Sequence, residues 1–264
     1  MRASADGNPH LATLSTWATL GEEAWQDPAS APIPYTDFHA YVRGTGWIDP
    51  KEELANDSAR FFNVYDLAAR AVGFNKPVVW GEQGIDGTQG TNIQDPRLAD
   101  DQTGVWLHKL TWARTGPGGV YPLYWYTDHI FNKSLHHIFG AWARFMTGIP
   151  LTNGRYADVQ ATTSNPDLRV MGQKDVQAGS AHVWIDNRQH TWRAVVDRRT
   201  IPAVSGTVNL DLRRANASYT VTWYDTATGQ SSSTQTLTAN NAGVLVLSVS
   251  GLATDTAARI TRNP

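Results

Sequence analysis

Side chains able to do acid, base or nucleophilic work are sparse in this sequence. Only five glutamates occur in 264 residues: Glu22, Glu23, Glu52, Glu53 and Glu82. Four form adjacent pairs in polar sequence beside helix-start signals, where carboxylates favour water and the first-turn dipole. Glu82 differs. It closes the apolar run Pro77-Val78-Val79-Trp80-Gly81 and precedes Gln83-Gly84, which places it at the carboxyl end of a buried strand, where parallel α/β sheets gather their ligands. A carboxylate held on a rigid strand among aromatic rings can attack an anomeric carbon. A strand-end glutamate can equally cap the next helix or pair with an arginine, and the run alone leaves both readings open.

Neighbouring strands add candidates. In Asp37-Phe38-His39-Ala40-Tyr41, alternation puts His39 and Tyr41 on one face, where an imidazole and a phenol can orient Glu82 and a sugar hydroxyl. Trp125, in Leu123-Tyr124-Trp125-Tyr126, offers a flat plate for stacking. The chain holds 11 Trp, 9 Tyr and 7 Phe. Such rings suit the faces of sugars, and they fill cores equally well.

The positioning elements follow from periodicity. Short apolar runs at Leu11–Trp17, Tyr35–Tyr41, Pro77–Glu82 and Val120–Tyr126 read as buried strands. Between the second and third, Leu54, Phe61, Phe62, Tyr65, Ala68, Ala69 and Val72 recur at helical spacing behind Asn56-Asp57-Ser58, an early-turn cap. Further helices are expected from Arg97 to Arg114 and from Ser134 to Met146. This βα alternation implies a parallel sheet with right-handed crossovers. Past Gly154 the texture becomes brief Thr/Val-rich segments, among them Ala181–Ile185, Thr191–Val196, Val208–Leu212, Tyr219–Tyr224 and Val244–Val249. Turn residues at Thr226–Gly229 and Asn240–Gly243 punctuate them. The pattern predicts an antiparallel β-sandwich. The expected fold class is therefore α/β plus all-β, with domains at 1–155 and 156–264. Charge divides the same way: residues 1–155 carry 12 basic and 16 acidic side chains, residues 156–264 carry 10 and 8.

At His39-Ala40-Tyr41, Trp80-Gly81-Glu82 and Tyr124-Trp125, on successive βα units, the sequence resembles clan A glycoside hydrolases, near the family 5 cellulase and mannanase type. The resemblance implies the last four βα units of a (β/α)8 barrel and retaining cleavage of β-glycosides. It assigns Glu82 as nucleophile, His39 and Tyr41 as residues beside the reacting centre, and Trp125 as a substrate-stacking ring. The segments Ala181–Arg188 and Val221–Thr226 are similar to the β-sandwich that often follows such barrels. A β-linked oligosaccharide or polysaccharide is the implied partner, with no cofactor and with extracytoplasmic action of the full-length parent.

A (β/α)8 barrel takes about 250 residues, whereas residues 1–155 supply four candidate strands. The family's acid/base glutamate follows an asparagine, and this chain has no Asn-Glu dipeptide. Retaining hydrolysis needs two carboxyl groups, so the acid/base is unassigned and a truncated barrel is expected. A homodimer, or pairing with a missing N-terminal half, would cover the open sheet edge. The alternative function is a non-catalytic carbohydrate-binding or self-assembling half-barrel.

Composition excludes other classes. A formal net charge of −2 with no Lys/Arg run lacks the footprint of nucleic-acid or anionic-membrane binding. Zero cysteines remove disulfides, thiolate nucleophiles and Cys-based zinc sites. His136-His137 and Asp128-His129 match no HExxH or EF-hand spacing, and Gly116-Pro117-Gly118-Gly119 lacks the lysine of a phosphate loop. No apolar run is long enough for a bilayer, and residues 1–7 lack the apolar core of a signal peptide.

Overall fold

The computed structural model describes residues 11, 13–15, 22–42, 52–72, 76–85, 96–116, 122–124 and 127–264. In chain order the elements are α1 (Glu22–Gln26), β1 (Thr36–Val42), α2 (Glu52–Ala55), α3 (Ser58–Val72), β2 (Val78–Ile85), α4 (Val105–Trp112), β3 (Pro122–Tyr124), α5 (Thr127–Asn132) and α6 (His137–Met146). Then follow β4 (Ala157–Asp158), β5 (Ala161–Thr163), β6 (Leu168–Asp175), β7 (Ser180–Asn187), α7 (Trp192–Val196), β8 (Val204–Asp211), β9 (Ser218–Tyr224), β10 (Ser231–Thr238), β11 (Val244–Leu252) and β12 (Asp255–Arg262). The chain divides into two compact units, one from residues 1–102 and 118–132, the other from 103–117 and 133–264.

The first unit is built on a parallel sheet of order β1-β2-β3, and Ser15 makes a parallel bridge to Asp37 on β1. Phe38 and Ala40 alternate with Asp37, His39 and Tyr41. Phe38 sends its ring into an aromatic layer with Trp25 at 5.6 Å and Trp80 at 5.9 Å. Phe62 of α3 meets Trp80 at 6.4 Å. All four rings are buried, and each contributes roughly 1.5–3 kcal/mol of transfer free energy. Helix α3 begins where Asp57 Oδ1 accepts the Arg60 N–H at 3.1 Å, as the Asn56-Asp57-Ser58 signal predicts. Ala59, Phe61, Phe62 and Ala69 form its buried stripe, while Val64 and Leu67 stay exposed.

The second unit consists of a six-stranded antiparallel sheet, β10-β9-β12-β7-β6-β4, and a three-stranded one, β11-β8-β5. One core joins them. Val183 and Ile185 of β7, Val208 and Leu210 of β8, Val221 of β9, Leu245 and Leu247 of β11 and Ile260 of β12 are among its buried members. Strand β7 is buried on its other face too, where His182, Trp184 and Asp186 lie.

The sequence places a domain division near residue 155, and the compact units are grouped differently from that division. Segments 103–117 and 133–155 group with the antiparallel sheets. Phe145 of α6 packs on Trp112 at 5.2 Å and on Tyr224 at 5.1 Å. Arg259 of β12 lies over the Phe145 ring at 5.5 Å. These apolar helix faces need a partner surface, and the sheet supplies it.

Three further expectations change. The helix foreseen from Arg97 to Arg114 is interrupted: residues Pro96–Asp100 form a 3-10 turn, and α4 begins after Gly104. Gly104 has φ +70°, and a Cβ there would meet Leu135 at 2.7 Å, so glycine is required and the pattern breaks. Thr191–Val196, read as a strand, forms α7, with the Thr191 hydroxyl capping the Ala194 N–H at 3.1 Å. The turn at Asn240–Gly243 leads from β10 into β11 of the other sheet rather than closing a hairpin.

Candidate active site

Parallel pairing of β1 with β2 sets His39 opposite Glu82, and the register shifts between Phe38 and His39, so that Gly81 is the extra residue. That irregularity aims Glu82 at the β1 face bearing His39 and Tyr41. The Tyr41 hydroxyl donates to Glu82 Oε2 at 2.6 Å. His39 Nδ1 lies 3.4 Å from the same oxygen, too poorly aligned for a full hydrogen bond. The His39 and Glu82 side chains retain 13% and 21% of their exposure, so both are reachable yet held. Tyr41 is buried.

Three participants escaped the sequence reading. The Ser15 hydroxyl sits 2.7 Å from His39 Nε2. Asp37 occupies the same alternating face as His39 and Tyr41, and its Oδ1 is buried without a hydrogen-bond partner. Gly81 makes room for both: a Cβ there would lie 2.4 Å from Asp37 Oδ1 and 2.9 Å from His39 Nε2. Period-two alternation would have found Asp37. Nothing in the spacing marks Ser15, 24 residues from the imidazole it meets. Trp125 lies outside the described residues. His39, Tyr41 and Glu82 are thus brought together, with Ser15, Asp37 and Gly81 around them.

The second unit carries its own buried polar cluster. His108 Nε2 is 2.7 Å from Asp255 Oδ2, Trp184 Nε1 donates to that oxygen at 2.6 Å, and Thr226 Oγ1 donates to Oδ1 at 3.0 Å. Burial alone would raise the Asp255 pKa, but the His108 and Lys109 charges and these donors hold it well below the usual carboxylate range. Lys109 and Arg169 pair with buried Asp186. His190 borders the same cleft of ≈ 310 Å³; burial and then the Lys109 charge depress its pKa to about 4. Such pairs span up to 147 residues of sequence, beyond any local motif. Among the described residues no group of three His, Asp or Glu side chains converges as a metal site.

No protein-family model matches the sequence, and no curated protein matches it. Among solved structures, the chain is similar to a glycoside hydrolase family 5 protein from Bacteroides vulgatus at 12% identity and TM-score 0.48, covering 88% of this chain and 57% of that one. A protein described only as a glycoside hydrolase aligns at 14% identity and TM-score 0.47, over 88% and 54%. A glycoside hydrolase family 44 endoglucanase produced by Clostridium acetobutylium aligns at 10% identity and TM-score 0.47, over 89% and 48%. The chain spans about half the length of the solved structures to which it is similar.

Proposed function

We propose that this chain belongs to a retaining β-glycoside hydrolase, with Glu82 as its nucleophile. The carrying observation is the Tyr41 hydroxyl on Glu82 Oε2 at 2.6 Å, in the carboxyl-terminal half of a parallel strand and facing His39. Among the described residues the Tyr41 and His39 contacts both fall on Oε2, which leaves Oε1 to attack. In this reading Oε1 bonds to the anomeric carbon as the glycosidic C–O bond breaks, and a second carboxyl group protonates the leaving oxygen. Water then releases the sugar with the anomeric configuration retained. That acid/base is not assigned to a residue of this chain. No cofactor enters the scheme.

Sheet order supports a barrel wall. Ser15, β1, β2 and β3 are sequential neighbours and all parallel, so strands add in one direction without the reversal that marks a doubly wound sheet. We read this unit as four strands of a (β/α)8 barrel and the antiparallel unit as a β-sandwich. Trp125 is the stacking ring for a β-linked oligosaccharide or polysaccharide. The remaining barrel wall is the proposed partner of this sheet, from a longer parent acting outside the cytoplasm or from a second copy.

Glycoside turnover tests the reading. With 2,4-dinitrophenyl β-cellobioside and β-mannobioside, whose leaving groups need no protonation, the protein should release phenolate, Glu82→Ala should not, and azide should restore release as the α-glycosyl azide. Unchanged turnover in Glu82→Ala excludes the nucleophile. Retained glycan binding with no turnover by either protein points to a binding function.

A further inference from the structure

Resting on that reading of Glu82, we infer that Ser15 is a positioning residue which holds His39 in the tautomer with its proton on Nδ1, facing Glu82 Oε2. Three contacts lead there. The Ser15 hydroxyl lies 2.7 Å from His39 Nε2, His39 Nδ1 lies 3.4 Å from Glu82 Oε2, and Oε2 already accepts the Tyr41 hydroxyl. A neutral imidazole carries one proton and one lone pair. If the lone pair sat on Nδ1 it would face the lone pairs of Oε2, a repulsive arrangement in a part-buried site. With the proton on Nδ1 the same approach becomes attractive. Nε2 then needs a donor, and the Ser15 hydroxyl supplies one.

The three groups form a hydroxyl, imidazole and carboxylate chain in which each partner fixes the next. Its consequence for Glu82 is asymmetric. The Tyr41 hydroxyl anchors Oε2 through a hydrogen bond and the His39 N–H approaches the same oxygen, so exchanging the two carboxylate oxygens breaks the Tyr41 bond, and Oε1 remains the oxygen presented to substrate. Gly81 permits the arrangement, because any side chain there would strike the imidazole edge and the Asp37 carboxylate. Ser15 itself is exposed and touches neither Glu82 oxygen in this chain of contacts. Its effect passes through His39.

The tautomer can be read directly. In protein labelled with ¹⁵N at its histidine rings, the His39 signals are assigned by their loss in His39→Asn and followed at neutral pH without substrate. The expected result is an Nδ1–H imidazole in the parent, loss of that bias in Ser15→Ala, and its recovery in Ser15→Thr, which restores the hydroxyl. An Nε2–H imidazole in the parent, or the same Nδ1–H signal in Ser15→Ala, overturns the assignment. Covalent capture of Ser15 by a fluorophosphonate overturns it as well, since Ser15 would then be a nucleophile with His39 as its base. The measurement needs no turnover. An inactive protein whose His39 tautomer follows Ser15 would sink the hydrolase reading while upholding the relay, and an active protein with a Ser15-independent His39 would do the reverse.

Discussion

Glu82 is set apart from the other glutamates by what surrounds it. One phenol and one imidazole bear on the same carboxylate oxygen, and both groups come from β1, with Tyr41 lying 41 residues earlier in the chain. The glycine beside Glu82 is part of this device, for its missing side chain is the space into which Asp37 and His39 lean. Gly81→Ala should therefore leave the fold intact and push the imidazole off its position. Turnover of an aryl β-glycoside should fall on the order of 100-fold, the usual consequence of ångström-scale misplacement, while circular dichroism stays unchanged. Full activity in Gly81→Ala would show that His39 is not placed by this gap.

At the level of elements, α3 offers the cleanest test of local physics. Its first turn carries a side-chain cap in which Asp57 accepts the Arg60 N–H, and Asp57→Ala should cost about 1 kcal/mol, read as a lower urea midpoint for the first unit. Much of the element map was legible. Val78-Val79-Trp80 and Phe38 announced buried strands, and the stripe from Phe61 onward announced α3, whereas Leu54, read into the same helix, belongs to the separate α2. Misreadings have identifiable physical sources. Val195 and Val196 gave Thr191–Val196 a strand-like composition, yet the Thr191 cap sets the local conformation and α7 forms. Gly104 breaks the long helix through its left-handed backbone, and Leu135, 31 residues away, leaves no room for a side chain there. The candidate site was legible wherever alternation or strand ends encode it, as for Glu82, His39 and Tyr41. Ser15 was not, because its partner is chosen by strand neighbours rather than by spacing.

For the molecule as a whole, the buried charges of the second unit set its response to acid. His182 is about 1% exposed, and neither ring nitrogen has a hydrogen-bond partner. Burial, with the Arg259 charge in support, depresses its pKa from 6.5 to about 4. The unfolded chain binds this proton below pH 6.5, whereas the folded chain resists it until about pH 4. The stabilising contribution is thus complete above pH 6.5 and is lost as pH falls from 6.5 to 4, on the order of 3 kcal/mol in all. His190 shifts in the same direction and adds to the slope. Chemical unfolding of the second unit between pH 7 and 4 should show this decline, and His182→Met should flatten it by one proton. An unchanged slope in His182→Met would place the acid sensitivity elsewhere. The same cluster ties residues 103–117 to the antiparallel sheets: Asp186 and Asp255 are buried carboxylates whose partners, Lys109 and His108, come from α4.

The most direct test of the central claim is covalent trapping of Glu82. A 2,4-dinitrophenyl 2-deoxy-2-fluoro-β-cellobioside or β-mannobioside carries a leaving group that needs no acid, and its fluorine slows hydrolysis of the glycosyl-enzyme, so a nucleophile alone suffices to capture it. Mass spectrometry of the peptide spanning Val78–Ile85 should show one added glycosyl group on Glu82, abolished in Glu82→Gln. An unmodified Glu82 after exposure to both reagents, or modification at another carboxylate, would contradict its role as the nucleophile.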